Sequence, residues 1–561
     1  MPDEPKDWSL TPADDSAGSA DSAGHSASDG TDDGTGHSRT PSEGRERLES
    51  DPADGDPTLP PRRAASDNEF GRTVAFTVVG TVVPGLGLIA ARRRLIGGIV
   101  LGIFVTALLI VGSWAAVDRD GLVSVVVRPA VLNTLAIVLV VTALLWVGVI
   151  VATHLALRRK PTGAQRAIGA ALVGVLAFAV AAPMAVAARY SYDQASLVNT
   201  VFKSDKNTKS ATRPSLDVEP TAKGEAPDPW KDKPRVNILL LGGDAGPDRT
   251  GTRTDTVILA SIDTKTGDTT LFSLPRNTGR MPFPPGSPLR RYYPNGFTNG
   301  DGNNAEYFLN AMYDNVPANV PKDILGETDN LGADVLKLSV GEALGLKVDY
   351  YVLINLQGFA KMVNALGGIT VNINSYIPIG GNTDLHIPPK EYLKPGPDQH
   401  LGGRDALWYA RGRYGSDDFA RMDRQRCVIN AIIKQANPTN MLARYEQIAK
   451  ASKDIVVTDM PQEVLPLMVD LSFRVKDGNV RSIVFKHGVD GFLSPDPDFA
   501  LMRKRVKAAL EETTSTGDSG SSASTSAPKK SKPKSKKAVS EDVDKTCAYD
   551  PEMAATAQPP R

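Results

Sequence analysis

The chain has 561 residues, enough for several domains, and its 64 basic and 64 acidic side chains give a formal net charge of zero. Acidic and basic blocks cancel along the chain, so this total excludes no class of charged partner. The chain contains only two cysteines, Cys427 and Cys547, and six scattered histidines, which excludes a zinc site of the usual Cys/His spacing.

Polar segments flank the apolar and mixed parts of the chain. Residues 1–73 are rich in Asp, Ser, Gly and Pro and nearly lack large apolar side chains. Such a segment cannot bury enough apolar surface to offset the entropy lost on folding, so we predict a disordered tail. A polar linker is predicted at 189–232, and a second disordered tail, rich in Ser, Lys and Pro, at 513–561.

Three apolar runs, at residues 95–117, 131–157 and 168–188, are nearly free of charged side chains. Each approaches or exceeds the roughly 20 residues that a helix needs to cross the hydrocarbon core of a membrane. We therefore predict three transmembrane helices, with a lipid membrane as a partner. A fourth run, 74–91, is shorter and is interrupted by a Pro-Gly pair.

The orientation of these helices follows from the positions of Lys and Arg, which are enriched in cytoplasmic loops. Basic residues are concentrated at 62–72, 92–94 and 158–166, whereas residues 118–129 are nearly neutral. This distribution predicts a cytoplasmic N-terminus, a re-entrant or interfacial element at 74–91, and an extracytoplasmic domain after the third helix. Four full spans are the alternative, and they would place either that domain inside the cell or the N-terminal tail outside it.

From residue 233 to residue 512, short apolar runs alternate with helical patterns. Strands are predicted where runs of β-branched residues and Leu end in Gly, Asp or Pro, at 236–241, 256–262, 269–274, 350–356, 369–373 and 480–485. Helices are predicted at 334–344, 358–366, 418–435, 461–475 and 498–511. Because strands and helices interleave, we expect an α/β fold, an extracytoplasmic α-β-α layered domain with a central mixed sheet.

Two aspartates stand at adjacent strand ends. The first strand continues into Gly242-Gly243-Asp244, and Arg253-Thr254-Asp255 opens the next strand. Carboxylates placed in this way can converge on a hard cation such as Mg²⁺ or Mn²⁺, which accept oxygen ligands. Taken alone, the two aspartates fit the capping of turns better than a metal site. The loop between them has the outline of a phosphate-binding P-loop but lacks its lysine, so a nucleoside triphosphatase is only weakly supported.

The most specific pattern is a group of arginines around a predicted helix. On a helix that begins near Asp418, the side chains of Asp418, Arg421 and Gln425 fall on about one face, beside an apolar stripe. Arg411 and Arg413 precede this helix and point the same way if their segment is extended. Guanidinium groups gathered in this way repel one another unless an anion lies between them, and phosphate oxygens fit the planar fork of arginine. The alternative is a solvated basic helix face.

Arg276 follows the strand 269–274 and lies at the edge of the predicted sheet, although many such arginines are simply on the surface. Together with this turn, the motifs resemble the LytR-CpsA-Psr family of cell-envelope phosphotransferases. The resemblance covers residues 236–435, where the motifs occur in order: Asp244, Arg253-Thr-Asp255, Leu-Pro-Arg276, Tyr351-Val-Leu-Ile-Asn, Val363-Asn-Ala-Leu-Gly-Gly, Tyr409-Ala-Arg411-Gly-Arg413 and Asp418-Phe-Ala-Arg421. The apolar membrane segment before the domain is also similar to that family.

The resemblance implies an enzyme that transfers a glycopolymer from an undecaprenyl-type pyrophosphate carrier to peptidoglycan, with Mg²⁺ as its cofactor. It implies that Asp244 and Asp255 hold the metal. It also implies two overlapping groups: the catalytic residues Arg276, Arg411, Arg413, Arg421 and Asp418, and the pyrophosphate ligands Arg253, Arg276, Arg411, Arg413, Arg421 and Gln425. Which polymer is attached, whether teichoic acid, arabinogalactan or capsule, stays open.

Two departures from the family pattern concern the predicted site: the first replaces a carboxylate, whose role therefore does not carry over, and the second lies at the mouth of the site. Asn277 occupies a position where the family usually has Asp, and residues 281–303 do not match the family's usual Asn-Ala-containing segment. Two other functions stay open: a hydrolase that splits polyprenyl diphosphates, and a non-catalytic envelope protein that binds the lipid or regulates assembly. The sequence contains no nucleic-acid-binding motif, so nucleic acid is not an expected partner. Cys427 and Cys547 fit either a disulfide or two separate thiols.

Overall fold

The structure is a computed structural model of the chain, and it describes residues 62–117, 127–158, 161–214, 230, 233–244, 252–301, 304–382, 386–435, 456–517 and 538–560. The disorder predicted for residues 1–61 and 518–537 lies outside these described residues. So do residues 215–229 of the predicted linker and the loop 245–251, which contains most of the P-loop outline.

Five helices precede the soluble domain in the described part of the chain: Arg62–Val82 (α1), Leu86–Ala90 (α2), Arg94–Val117 (α3), Pro129–Leu157 (α4) and Gly163–Val201 (α5). Helices α3, α4 and α5 are long and apolar enough to cross a membrane. Few of their residues are buried inside the protein, so their apolar side chains are left to contact lipid. These helices indicate a membrane-associated protein.

The prediction that residues 62–73 are disordered was wrong, because helix α1 covers them. The hydroxyl of Thr73 donates a hydrogen bond to the carbonyl of Leu157 at the end of α4 (3.3 Å). Thr77 Oγ1 lies 3.3 Å from Nδ1 of His154 in the same helix. The packing of α1 on α4 could not be predicted from composition, because a few small polar residues are enough to join two helices.

The prediction of a polar linker from residue 189 was wrong for its first half. Helix α5 continues to Val201, and residues after it are hydrogen-bonded to the soluble domain. Asp334 is buried and accepts hydrogen bonds from Oγ of Ser210 (2.8 Å) and from the backbone N–H of Ala211 (3.0 Å). The polar side chains that resemble a linker in composition therefore satisfy a buried carboxylate.

A seven-stranded mixed sheet forms the centre of the soluble domain and confirms the predicted α/β class. The strands of the described residues are Arg235–Asp244 (β1), Arg253–Asp263 (β2), Thr269–Leu274 (β3), Tyr350–Asn355 (β4), Ile369–Ile373 (β5), Ile377–Ile379 (β6), Glu391–Leu393 (β7), Gly396–Leu401 (β8), Val456–Thr458 (β9), Val480–Val484 (β10) and Glu541–Asp542 (β11). The central sheet has the order β11-β10-β3-β2-β1-β4-β9, with β1 antiparallel to β2 and parallel to β4. Two small antiparallel sheets pair β5 with β8 and β6 with β7.

Helices cover both faces of the central sheet. Among the described residues, the α-helices of this domain are Met312–Asn319 (α6), Leu331–Leu344 (α7), Leu356–Leu366 (α8), Gly403–Arg411 (α9), Asp418–Gln435 (α10), Leu465–Asp477 (α11), Phe499–Gly517 (α12), Val543–Thr546 (α13) and Pro551–Thr556 (α14). Alternate residues of a strand face opposite layers. Leu239 and Leu259 pack in one core with Leu336 of α7, whereas Ile258 packs in a second cluster with Ile433 of α10. The predicted α-β-α layering is therefore present.

Residues 538–560, here called the strap, were predicted to be disordered, and this prediction was wrong. Strand β11 extends the central sheet by pairing with β10, and a disulfide joins Cys427 of α10 to Cys547 of the strap. This bond decides between the two alternatives that the sequence leaves open for the cysteines. The order of the strap depends on contacts that are distant in sequence, so local composition does not reveal it.

Candidate active site

The candidate site lies at the edge of the sheet where β1, β3 and β4 end and β2 begins. Two glycines let β1 and β2 approach closely there. A Cβ on Gly242 would lie 2.9 Å from Cβ of Thr256, and a Cβ on Gly243 would lie 3.0 Å from Cγ2 of Thr252. Because side chains at these positions would push the strands apart, the Gly-Gly pair keeps Asp255 beside the end of β1.

Asp255 accepts hydrogen bonds through both its side chain and its backbone. Its Oδ1 accepts from Nη1 of Arg276 (3.1 Å) and from Nδ2 of Asn310 (3.3 Å), and its carbonyl accepts from Nη2 of Arg421 (3.1 Å). Burial acts to raise the pKa of Asp255, but the charges of Arg276 and Arg421 outweigh it and hold that pKa below its ordinary value. Asp255 is therefore ionised at neutral pH.

Asp418 links three arginines. Its Oδ2 accepts a hydrogen bond from Nη2 of Arg421 (3.0 Å), one turn along α10. Its Oδ1 lies 3.7 Å from Nε of Arg276 and 3.9 Å from Nη1 of Arg413, so these two ion pairs are longer than hydrogen bonds. We call Asp255, Arg276, Arg413, Asp418 and Arg421 the guanidinium cluster. Its three arginines and two aspartates sum to a net charge of about +1, which favours an anion.

Arg421 is the most deeply buried member of the guanidinium cluster, with 4% of its side chain exposed. Burial lowers its pKa to about 10, opposed by the charge of Asp418 and assisted by the guanidinium of Arg276. The group is still charged at neutral pH. Its Nε has no hydrogen-bond partner within the described structure, so this buried charge favours the approach of a phosphate oxygen.

Local hydrogen bonds fix the start of α10 and the chain before it. Oδ1 of Asp417 accepts a hydrogen bond from a backbone N–H of the first helical turn (2.7 Å), which caps the helix. The guanidinium of Arg424 donates to the carbonyls of Tyr409 (2.7 Å) and Gly412. These bonds fix the two ends of the α9–α10 loop, residues 412–417, next to the guanidinium cluster.

The condition under which Arg411 and Arg413 would point the same way is not met, because their segment is not extended throughout. Arg411 is the last residue of α9, and its guanidinium lies over the ring of Trp408, 5.0 Å from the centroid. The apolar face of α9 packs in a small core with residues of β5 and β8. This packing stabilises the helix as far as Arg411. Gln425 is buried and donates to the carbonyl of Ala410 (3.5 Å). Arg413 thus belongs to the guanidinium cluster. Arg411 instead packs on Trp408 of its own helix, and Gln425 binds a carbonyl of that helix.

Asp244 and Arg253 are paired in the register of β1 and β2, two residues from Asp255. The side chain of Asp244 lies outside the described structure, so its role as a metal ligand stays a prediction. Arg253 is 43% exposed and forms an ion pair with Glu306. It lies two residues before Asp255, which is the extra residue of β2 where the register with β1 shifts between Gly242 and Gly243.

Asn310 is a residue of the site that the sequence motifs do not include. Its side chain donates to Asp255, and its backbone N–H donates to the carbonyl of Arg276 (3.0 Å), so it holds two cluster residues together. A signal was available, because Asn310-Ala311 is an Asn-Ala pair that lies shortly after residues 281–303. That Pro- and Gly-rich stretch supplies buried aromatic and Met side chains to the main core instead.

The described residues contain no group of three or more His, Cys, Asp or Glu side chains placed to hold a metal ion. Mg²⁺ needs fewer protein ligands, because it is usually held by one or two carboxylates together with substrate phosphates and water. Asp255 supplies one carboxylate, and both of its side-chain hydrogen bonds go to Oδ1. This donor set fits a magnesium ion that shares its coordination with a bound phosphate.

Residues 191–487, more than half of the chain, match the sequence model of the LytR_cpsA_psr family. The chain is 29% identical over 255 residues to TagU of Enterococcus faecalis, a polyisoprenyl-teichoic acid–peptidoglycan teichoic acid transferase, across 44% of this chain and 69% of that protein. TagV of Bacillus subtilis, which has the same transferase name, is 28% identical over 270 residues, 46% of this chain and 59% of that protein. The crystal structure of B. subtilis TagV has 25% identity and a TM-score of 0.34, and the match covers 50% of this chain and 98% of that one.

Proposed function

The chain belongs to the LytR_cpsA_psr family, and on this premise we propose that it is a membrane-anchored transferase that moves a glycopolymer from a polyisoprenyl pyrophosphate carrier to peptidoglycan. The observation that carries the proposal is the guanidinium cluster, in which three arginines share two carboxylates. A pyrophosphate supplies the negative charge that balances this arrangement. The names of the relatives make teichoic acid the first polymer to test.

In the proposed reaction, a sugar hydroxyl of peptidoglycan attacks the phosphorus that bears the polymer. The bond from that phosphorus to the bridging oxygen breaks, the hydroxyl proton passes to water, and polyisoprenyl phosphate leaves with the bridging oxygen. Negative charge grows on the bridging oxygen as this bond breaks. Guanidinium groups that are already in place stabilise the charge without reorganising.

The contacts of Asp418 indicate which arginines can bind the phosphate and which one stays bound to Asp418. Arg276 and Arg413 lie 3.7 and 3.9 Å from Asp418, whereas Arg421 donates to it at 3.0 Å. A phosphate therefore displaces the two long ion pairs more readily than the short hydrogen bond. Asp418 keeps Arg421 in position and Asp255 keeps its hydrogen bond from Nη1 of Arg276, while Nε of Arg276 and the guanidinium of Arg413 become available to the substrate.

Arg253, Arg411 and Gln425 complete the proposed site as outer ligands of the pyrophosphate. Arg253 and Glu306 form an exposed ion pair, 43% and 55% exposed. Such a pair contributes little, so a phosphate can take the place of Glu306. Gln425 lies one turn beyond Arg421 on α10, and Arg411 ends α9 beside the α9–α10 loop.

We include Mg²⁺, or Mn²⁺ in its place, in the proposal. Asp255 and Asp244 would hold the ion together with phosphate oxygens of the substrate. When bound, a divalent ion neutralises charge on the phosphates. The support for Asp255 is its lowered pKa, which keeps it ionised, and the support for Asp244 is the pairing of its backbone beside the start of β2.

The proposed location is the cell membrane, with the N-terminus in the cytoplasm and the soluble domain on the outer side. Helix α3 then runs outward, α4 inward and α5 outward, which leaves the basic segments inside. The carrier lipid and peptidoglycan are both reached from that side. The lipid membrane is thus a partner of the protein.

The purified full chain in detergent tests the proposal when it is supplied with a polyisoprenyl-pyrophosphate-linked glycopolymer and peptidoglycan. The measurement is the amount of polymer covalently attached to peptidoglycan. We expect Mg²⁺-dependent attachment, and a loss of about 100-fold or more in Arg276→Ala because a charge-stabilising group is gone. Arg404→Ala is the matched control, since Arg404 is 53% exposed and pairs with Glu391 on the surface.

Two results of this assay count against the proposal. Transfer at the unmodified rate by a folded Arg276→Ala variant removes the role of the guanidinium cluster. Polymer that is released only into solution, with peptidoglycan present, identifies a hydrolase instead of a transferase.

A further inference from the structure

The last part of the strap contacts the α9–α10 loop. We call residues 549–560 the strap end. The hydroxyl of Tyr392 donates a hydrogen bond to the carbonyl of Pro560 (2.8 Å). Gly415 of the loop has a φ of 69°, and a Cβ on it would lie 2.1 Å from Cβ of Pro560. Pro560 therefore packs directly on the loop backbone, where only glycine leaves room for it.

The first part of the strap is fixed to α10, the helix that also carries Asp418 and Arg421. An ion pair, a hydrogen bond and the disulfide join the two segments: Arg426 to Glu541 at 2.6 Å, Asn430 to Asp544 at 2.8 Å, and Cys427 to Cys547. These attachments lie beyond the first turn of α10, away from the guanidinium cluster. They anchor the strap without contacting the site itself.

The strap end is also held where it begins. Nδ2 of Asn374 donates to the carbonyl of Ala548 (3.0 Å), and Oδ1 of Asn374 accepts from the N–H of Asp550 (2.9 Å). One amide side chain thus binds the strap on both sides of Tyr549. With Tyr392 at the other end, the strap end is fixed at two points and presses Pro560 against Gly415.

We propose that the strap end is a positioning element for Arg413, because it holds the α9–α10 loop in the conformation in which Arg413 reaches the pyrophosphate. The inference rests on the proposed function, since it concerns binding of the same substrate. Arg413 is two residues from Gly415, and its carbonyl accepts a hydrogen bond from the N–H of Ser416 (2.8 Å). A displacement of Gly415 therefore moves Arg413.

The side chain of Arg413 needs this support because burial does not fix it. It is 42% exposed, in contrast to the buried Arg421, and its ion pair with Asp418 is 3.9 Å long. If the released loop adopts the binding conformation about a tenth of the time, the apparent Kd for pyrophosphate rises about tenfold.

The experiment uses the full chain and a variant in which residues 549–561 are removed, so that Cys547 and its disulfide stay. The probe is polyisoprenyl pyrophosphate without polymer, bound in detergent. We expect about tenfold weaker binding and faster amide hydrogen exchange in residues 412–417, with an unchanged exchange pattern in the central sheet. Tyr392→Phe, which removes only one hydrogen bond to the strap end, is expected to change both readouts in the same direction by less.

A double-mutant cycle separates positioning of Arg413 from a general structural effect. In the Arg413→Ala background, removal of the strap end is expected to cause no further loss of binding. In the Arg253→Ala background, which leaves the loop intact, the full tenfold loss is expected. An equal loss in both backgrounds, or unchanged exchange in residues 412–417, overturns the inference.

Failure of the proposed function gives a different result. If the unmodified chain transfers no polymer, the transferase assignment falls, while the exchange and binding measurements still decide the role of the strap end. Unweakened pyrophosphate binding by the shortened chain overturns the inference even if transfer is normal.

Discussion

Replacing Arg421 by Met is expected to abolish transfer and to change the free energy of unfolding by no more than about 1 kcal/mol. A pKa lowered from 12.5 to about 10 means that the fold disfavours the charged form by about 3 kcal/mol. Because this base has a depressed pKa, its burial destabilises the fold at neutral pH, and the penalty is relieved only as pH rises above about 10. This penalty already includes the attraction of Asp418, so Met removes it, while Asp418 and the carbonyl of Asp255 each lose a hydrogen-bond donor at about 1 kcal/mol.

Arg426, also buried on α10, is the matched contrast. It donates to Oγ of Ser482 (2.7 Å) and pairs with Asp423 (3.0 Å) and Glu541 (2.6 Å), so it joins α10 to β10 and β11. Arg426→Met is expected to lower the free energy of unfolding by about 2–3 kcal/mol, below the full cost of breaking a buried pair because both carboxylates are partly exposed. Transfer by the folded fraction is expected to persist.

Urea unfolding followed by tryptophan fluorescence measures both free energies, provided that the m value is unchanged, and polymer attachment measures activity. Equal destabilisation of the two variants would refute the reasoning, because the loss of transfer in Arg421→Met would then follow from loss of the fold. Normal transfer by Arg421→Met would equally refute a role for this guanidinium in the site.

Three further predictions concern other parts of the molecule. Because the pKa of Asp255 is lowered in the folded protein, its contribution to stability is present above about pH 3.8 and is lost as pH falls through the folded-state pKa. In Asp255→Asn, the free energy of unfolding should therefore decrease less as the pH is lowered. Urea midpoints that depend on pH as in the unmodified chain would contradict this. Cys427→Ser or Cys547→Ser should lower the free energy of unfolding by about 4–5 kcal/mol, because the disulfide spans 120 residues, and an unmoved urea midpoint would count against it. Asp334→Ala removes the carboxylate that accepts hydrogen bonds from Ser210, Ala211 and Thr212. It should lower the free energy of unfolding by about 2–3 kcal/mol and speed limited proteolysis at residues 202–214. An unchanged cleavage rate there would contradict the docking of this segment.

Elements whose signal is local could be predicted from the sequence with accurate bounds. The strand at 269–274 is buried at every position, and the strand at 369–373 has a buried residue at every second position. The helix expected at 461–475 begins instead at Leu465, since Pro466 in its first turn fits a helix start and not a helix interior.

Elements that depend on distant partners could not be predicted. Strands β6 and β7 have three residues each and form a two-stranded sheet, and β6 contains Pro378, which disfavours a strand. Helix α9 was missed because the alternation in Arg411-Gly412-Arg413 resembles an extended segment. Burial of its apolar face outweighs that local pattern.

The members of the guanidinium cluster could be named from residue type and position at the ends of predicted elements. Their distances could not, because Asp255 and Arg276 meet through the pairing of β2 with β3, and Arg421 reaches them only through the packing of α10. Asn310 belongs to a segment without regular strands, so its place beside Asp255 follows from tertiary contacts alone.

Helix α5 has a consequence for how far the catalytic edge lies from the membrane. Its 39 residues make it about 58 Å long, nearly twice the ~30 Å of a hydrocarbon core. Pro183 lies about 30 Å from its start, so in the proposed orientation a natural bend point falls at the outer surface of the membrane. The remaining ~28 Å forms a stalk, and Val198 near its end packs in one core cluster with Val236 of β1 and Tyr350 of β4. We therefore expect the length of this stalk to set the height of the catalytic edge above the lipid head groups.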